Sequence, residues 1–307
     1  MLPTDLETES IFIQKGEEKV RLDKLLTLRF PDYSRSYFQK LIEDGLVLVN
    51  GAVTKKATLL NEGDEIEIEF SLTPGISVEP EEIALEILYE DDDLIAVNKP
   101  AGMVVHPAVG NWSGTFVNAL LFHCKQLPHS EDLRPGIVHR LDKETSGVLL
   151  AAKNEYVHQR LVAAFASREV KKEYIAICLG NPKNRLITGN IGRHPTQRKK
   201  MALLPKGGKE ALTKCETVAY DESLALVHLF PETGRTHQLR VHMQAIGHPI
   251  LGDSLYGNPS LNQKWKAKRQ LLHAYRLLFT HPTQKKSMAI TAPIPKDIQS
   301  FIDRYFS

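Results

Sequence analysis

The sequence predicts an α+β protein in two unequal parts: a small helix-helix-strand module over residues 17–76 and a larger mixed-sheet domain over 83–307. Three observations carry this. The chain has 307 residues and is 42% apolar, long for one compact domain and apolar enough for two cores. Its periodicity breaks at Ser71–Glu82 (SLTPGISVEPEE), where Pro, Gly, Ser and acid replace any sustained pattern. Beyond that break, candidate strands and helices follow one another irregularly, without the alternation of a doubly wound sheet or barrel.

In the module, Leu22, Leu25, Leu26 and Phe30 recur at helical spacing behind Lys19 and Arg21. A second helix starts at Ser34 or Ser36, the latter with Gln39 placed for a capping box, and carries Phe38, Leu41 and Ile42 on one stripe. Gly45 takes the position of a C-cap glycine. Val47–Val49 reads as a strand entering a tight hairpin at Asn50-Gly51, and alternating Ile66, Ile68 and Phe70 make another. Arg21, Lys24, Arg29, Arg35, Lys40, Lys55 and Lys56 are either the solvated face of two amphipathic helices or a surface for phosphates.

In the larger domain, strands are expected at Leu94–Val97, Val148–Ala152, Tyr174–Cys178 and Ala225–Phe230. Helices are expected at Phe116–Cys124, Val157–Ala166 and Thr236–Ile246. Lys264–Arg269 reads as a basic stretch in a surface loop.

Several function classes fall away. No window approaches the ~18 apolar residues of a membrane helix, and acidic Met1–Glu9 has no basic-then-apolar leader. Cys124, Cys178 and Cys215 are far apart, against a zinc ribbon or disulfide framework. A cytoplasmic protein with no membrane partner is expected. The net charge is only +2 and the pI near 8.3, so an RNA partner would have to be met by local basic surfaces. H-E-x-x-H, G-x-G-x-x-G after a strand and the phosphate-loop spacing are absent, and Gly207-Gly208-Lys209 reads as a hairpin turn. Ser146 stands in Thr-Ser-Gly rather than in a nucleophile elbow. His237 and His242, five apart, face different sides of a helix. Neither metal nor cofactor is expected, and a monomer is.

The segment Arg134-Pro-Gly-Ile-Val-His-Arg-Leu-Asp142-Lys-Glu-Thr-Ser-Gly147 runs directly into an apolar strand. Such a loop presents His139, Arg140 and Asp142 at a sheet edge, with Thr145 and Ser146 able to bond its backbone. On this segment alone, Asp142 reads first as the cap of a salt-bridged turn. A second cluster, Pro231-Glu-Thr-Gly-Arg235-Thr-His-Gln-Leu-Arg240-Val-His-Met243, passes from a strand end into a helix. Arg235 would lie near the helix N-terminus, where it needs a carboxylate, and Asp142 is the candidate.

These residues carry a resemblance. His139-Arg-Leu-Asp142-Lys-Glu-Thr-Ser-Gly147 resembles the signature of the RluA family of RNA pseudouridine synthases. Asn98-Lys-Pro-Ala-Gly-Met-Val-Val-His-Pro107, Lys172-Glu-Tyr174, Gly234–Arg240, His248-Pro-Ile-Leu-Gly-Asp253 and Leu272-His-Ala274 are similar to its other motifs, in order. The amino-terminal module resembles an S4 RNA-binding domain, a combination that fits the RluD-type members acting on large-subunit ribosomal RNA. Leu239 and Leu251 stand where other aliphatic residues are common.

The implied reaction breaks the C1′–N1 bond of uridine, rotates the base and joins C5 to C1′. The atoms balance without water or redox cofactor, so the protein must supply one basic or nucleophilic group, charge stabilisation and a proton relay. The resemblance assigns the carboxylate to Asp142, which could attack C1′, add to the uracil ring or take a C2′ proton. It has Arg235 hold Asp142 ionised. Tyr174 would pack beside the base and relay the C5 proton, and Leu272 would floor the base pocket. Arg140 would fill the RNA stack once the uridine is flipped out. Read individually, Tyr174 is a core strand tyrosine, Leu272 is equally an ordinary core leucine, and Arg140 is a surface charge. Synthesis on transfer RNA, a non-catalytic ribosome-assembly factor and a base-releasing glycosidase, which would normally need two carboxylates, are the rival readings.

Overall fold

The computed structural model describes residues 7–306 apart from 32, 34, 71–77, 108–112, 125–126, 129–134 and 198. Most of the expected break, Ser34 and Arg134 therefore lie outside the described residues. The chain divides into two compact units, one up to residue 77 and one formed by nearly all of the rest.

The first unit comprises β1 (Glu7–Phe12), α1 (Leu22–Arg29), α2 (Arg35–Glu43), β2 (Val47–Val49), β3 (Ala52–Val53) and β4 (Glu65–Phe70), with strand order β1-β4-β2-β3. The period-2 pattern of β4 puts Ile66, Ile68 and Phe70 inside, none more than 5% exposed. Phe70 meets Phe30 edge-on at 5.2 Å and Phe38 at 6.3 Å, tying the sheet to both helices. Asn50 and Gly51 both adopt positive φ, 54° and 77°, as a two-residue primed turn demands. β1 was not expected from the sequence; it pairs antiparallel with β4, with Ile11 opposite Ile66.

The second unit begins with β5 (Ile87–Glu90), β6 (Leu94–Lys99), α3 (Phe116–His123), β7 (Ser146–Ala152), α4 (Glu155–Ala166) and β8 (Lys171–Leu179). It continues with β9 (Arg185–Arg193), β10 (Met201–Leu204), β11 (Lys209–Asp221), β12 (Leu224–Pro231), α5 (Gln238–Ala245), α6 (Pro259–Lys264), β13 (Leu272–Thr280), β14 (Ser287–Thr291) and α7 (Lys296–Tyr305). Its ten strands run in the order β10-β9-β11-β12-β8-β13-β7-β6-β5, with β14 added to β13. Every pairing is antiparallel except that of β13 with β7. β7 is buried at all seven positions, which is why its sequence is an uninterrupted apolar run after Ser-Gly.

Two loop expectations need correction. Gly207-Gly208 does not close a hairpin: β10 and β11 both pair with β9, so this turn carries the chain from one side of β9 to the other. A Cβ on Gly192 of β9 would sit 3.3 Å from the Gly208 Cα. Lys264–Arg269 is not wholly a surface loop either. The Arg269 side chain is 10% exposed and bonds Asp297 of α7 at 2.7 Å.

Candidate active site

The Asp142 loop is held at both ends by the edge of β7. β13 pairs with β7 only at Ser146 and Gly147. Past that point the free side of β7 is filled by residues 136–139: the Ala152 N–H donates to the Gly136 carbonyl at 2.8 Å and the Leu150 N–H to His139 Nε2 at 2.9 Å. Burial, aided by the charge of Lys172, pushes His139 down to about 3, so the imidazole stays neutral and can accept this bond. Its ring stacks on Phe165 at 4.6 Å. At the other end, Gly147 (φ 114°) lies so close to β13 that a Cβ there would be 2.2 Å from the Ala274 carbonyl oxygen. Between these anchors the chain turns through Asp142–Thr145, the Thr145 N–H donating to the Asp142 carbonyl at 3.0 Å.

The Asp142 side chain is 23% exposed and meets the buried guanidinium of Arg240, whose Nη1 donates to Oδ2 at 2.8 Å. Arg240 is fixed from behind: Nε and Nη2 donate to the two oxygens of fully buried Asp253 at 2.7 and 3.0 Å. The second oxygen of that bidentate pair also accepts the backbone N–H groups of Leu255 and Tyr256. The Tyr256 ring lies 5.0 Å below the guanidinium. Burial alone would raise the Asp142 pKa, but the charges of His237, Arg240 and Arg140 and the Arg240 hydrogen bond outweigh it and hold the carboxyl below the ordinary Asp range. His237 is itself held down, chiefly by burial, so the lasting cation against Asp142 is Arg240.

The structure corrects one expectation here. Arg235 does not pair with Asp142; its Nε donates to the Glu210 carbonyl at 2.9 Å and its N–H to Gln238 Oε1 at 3.0 Å. The reason is local. The helix expected from Thr236 starts at Gln238, because His237 sits in the left-handed region (φ 54°) and turns the chain before the helix begins. Arg240 then falls in the buried first turn, one residue after Leu239 and three before Met243. A buried arginine on an apolar helix face was the signal available in the sequence, since it requires acids.

Tyr174 points from β8 into the same neighbourhood. Burial first, then the charge of Asp142, raise its pKa, so the phenol stays protonated. Leu272 is 3% exposed in the core cluster against which Tyr174 packs. Arg140 is exposed, and its charge acts on Asp142. Two further residues brace the loop. Lys99 is fully buried and donates to the carbonyls of Pro100, Met103 and Lys143 at 2.8–3.1 Å. Burial pushes it down to about 7, against the pull of Asp142 and Glu144. Arg269 Nη1 donates to the Glu144 and Leu272 carbonyls, linking the loop to β13.

Asp91, Asp93 and His281 bring possible metal-ligand atoms within 4.8 Å of one another. Asp91 Oδ2 already accepts from Tyr89, His281 and Gln284, so this corner is explained as a hydrogen-bonded staple. Among the described residues, no helix is long and apolar enough to cross a membrane.

The site thus holds a partly open carboxylate, locked by an arginine that a second, buried carboxylate orients, beside a protonated phenol. Comparison with known proteins gives the class. The RNA pseudouridylate synthase family model matches residues 93–245, and the S4 domain model matches residues 20–66. A ribosomal large subunit pseudouridine synthase D of Neisseria meningitidis serogroup A is 44% identical over 91% of this chain and 76% of its own length. An RNA pseudouridine synthase of Bacillus subtilis, YlyB, is 39% identical over 94% of each chain. The structure of human RNA Pseudouridylate Synthase Domain Containing 1 superposes with a TM-score of 0.56 at 30% identity, covering 72% of this chain and 86% of that one. The chain belongs to the RNA pseudouridylate synthase family and carries an amino-terminal S4 domain.

Proposed function

We propose that this protein isomerises uridines in large-subunit ribosomal RNA, as a cytoplasmic monomer and without cofactor, with Asp142 as the reacting carboxylate. The observation that carries the assignment is the asymmetry of Asp142. Arg240 occupies Oδ2, and Oδ1 accepts no hydrogen bond from the described residues, leaving an ionised oxygen for the substrate. Arg240 takes the role expected of Arg235. Tyr174, still protonated, packs beside the base and relays the C5 proton, its hydroxyl oxygen accepting that proton as its own passes on towards N1. Arg140, exposed on the same loop, fills the gap left by the flipped uridine, and Leu272 closes the apolar side of the pocket. Because the product has the atoms of the substrate, the proposed reaction calls for neither hydride acceptor nor water. The names of the bacterial relatives support the choice of ribosomal RNA and of the cytoplasm.

The test is pseudouridine mapping on unmodified large-subunit ribosomal RNA incubated with chelator-treated protein. New pseudouridine at discrete positions is expected. Modification of transfer RNA alone would move the substrate, and release of free uracil would replace isomerisation by glycosidic cleavage.

A further inference from the structure

Two residues before Tyr174 on β8, and on the same face of the strand, Lys172 opens onto a pocket of about 280 Å³ whose walls include Arg168, Lys171, Lys214, Phe230 and Glu232. Its ammonium bonds the Thr233 carbonyl at 3.2 Å. Burial, then the charges of Arg168, Arg235 and Lys171, push it down to about 8.

Two neighbouring acids pair with cations of the walls, and the others are engaged elsewhere. Glu210 pairs with Arg168 at 3.7 Å, and Glu216 holds Lys214 at 2.6 Å. Glu169 accepts from Ser167, and Glu173 lies buried against His228 and Arg276. His139 is neutral. Of the four cations in the walls, Lys171 and Lys172 have no carboxylate partner among the described residues, and exposed Glu232 is the remaining acid of the lining, with the charge of Arg235 also acting on Lys172. Like charges around a half-buried lysine destabilise its charged form, and an anion in the pocket would reverse that. Phe230, with the Lys214 ammonium 5.9 Å from its ring centre, adds an aromatic face beside the cations. Cations with an adjacent aromatic ring are what a single nucleotide, phosphate and base together, requires.

We propose that this pocket is a subsite for one backbone phosphate of the RNA substrate, held by Lys172 and Lys171, with Arg168 exchanging its exposed Glu210 partner for the phosphate and Phe230 as platform for the adjoining base. The proposal rests on the reading of the Asp142 site as RNA-modifying and gives that site a second point of contact, which sets the path of the strand past Tyr174. It also fixes a sign for pH. Lys172 must be protonated to hold phosphate, so affinity falls as pH rises through its free-protein value. A group titrating at about 8 is nine-tenths charged at pH 7 and one-tenth at pH 9, a fall of about tenfold.

The experiment measures binding of unmodified large-subunit ribosomal RNA at pH 7, 8 and 9 and at several salt concentrations. It uses the full-length protein and the variants Lys172→Gln and Lys172→Arg. Wild type should show the tenfold fall. Lys172→Gln should bind more weakly at pH 7, with a flat pH profile and a salt slope smaller by about 0.7–0.9. Lys172→Arg, charged throughout, should keep the pH 7 affinity and lose the pH dependence. If Lys172→Gln fails to fold, the flat profile of Lys172→Arg decides alone. Wild-type affinity, salt slope and pH profile in both variants would overturn the subsite even if pseudouridine still forms. Predicted binding behaviour without any pseudouridine from the wild type would overturn the reading of Asp142 and leave the subsite standing.

Discussion

Asp23 and Asp142, one in each compact unit, are both carboxylates whose pKa is lowered in spite of burial. They are alike in electrostatics and opposite in use. Asp23, fully buried, spends both oxygens: Oδ1 takes Arg21 Nε, while Oδ2 takes Arg21 Nη2, Arg35 Nε and Nη2, and Gln39 Nε2, all at 2.8–3.1 Å. It knits α1 to α2, and its side chain is closed to solvent. Asp142 spends one oxygen on a guanidinium that Asp253 has already oriented, and is 23% exposed. A depressed carboxylate pKa is therefore shared by both residues and does not by itself distinguish the proposed reacting carboxylate from a structural one.

The sharpest way to break that contrast is to remove each charge in turn. Asp142→Asn should leave melting temperature and RNA affinity close to wild type, because Arg240 keeps its bidentate partner Asp253. Pseudouridine formation should disappear, a loss of ~5 kcal/mol or more of transition-state stabilisation. Since the Asp142 pKa lies below the ordinary Asp range, the wild-type single-turnover rate should also show no Asp142 titration above about pH 5. A stable Asp142→Asn protein with wild-type turnover would remove Asp142 from the mechanism.

Asp23→Asn should do the reverse, with turnover per folded molecule unchanged and stability lost. Arg21 and Arg35 are 38% and 44% exposed and can rehydrate, so the cost should be about 3 kcal/mol, the low end for a broken buried pair. The linkage has a definite sign. The folded pKa of Asp23 is below its unfolded value of about 3.9, so its stabilisation is present above pH 4 and lost as the pH falls further. Acid unfolding of the wild type, followed by circular dichroism, should show this loss, and the Asn variant should lack it.

What the sequence makes legible follows the same division between apolar pattern and polar partner. β4, β6, β7 and β8 are readable because apolar residues dominate their buried positions. β1 (ETESIF) is hidden because it is short, acidic and paired along one side only. β11 (KEALTKCETVAYD) is hidden because one face is charged and exposed, leaving only every second residue to speak. In the candidate site, the motifs name Asp142 and Tyr174, which the structure brings into one neighbourhood. The choice between Arg235 and Arg240 is not legible there, because it turns on one left-handed residue, His237, that no periodicity announces.

Tyr174 sharpens the comparison at smaller amplitude. Its phenol is coupled to Asp142 and kept protonated by burial, whereas Tyr37 in the first unit is raised by burial alone. Tyr174→Phe keeps the packing and deletes the hydroxyl. Single-turnover rate should fall by about 10², with RNA affinity nearly unchanged, if that hydroxyl moves the C5 proton. Tyr37→Phe should leave turnover untouched, and a near-normal rate in both variants would make Tyr174 a packing residue.

The smallest expected effect concerns how each unit meets phosphate. In the first unit Arg21 and Arg35 are committed to Asp23, Arg29 to Glu17, Lys40 to Asp44 and Lys56 to Glu43. Of the seven basic residues that suggest an RNA surface, exposed Lys24 and Lys55 have no carboxylate partner among the described residues. These two can release counterions without first breaking an ion pair, and they are where phosphate contact should be strongest. Exchanging both for Gln should lower the salt slope of RNA binding by at most about 1.4–1.8, two phosphates' worth, and weaken affinity only a few-fold at moderate salt. Turnover at saturating RNA should not change. A larger slope change would mean that the ion-paired arginines exchange their carboxylates for phosphate on binding. No change at all would mean that the S4 domain positions RNA by something other than these charges.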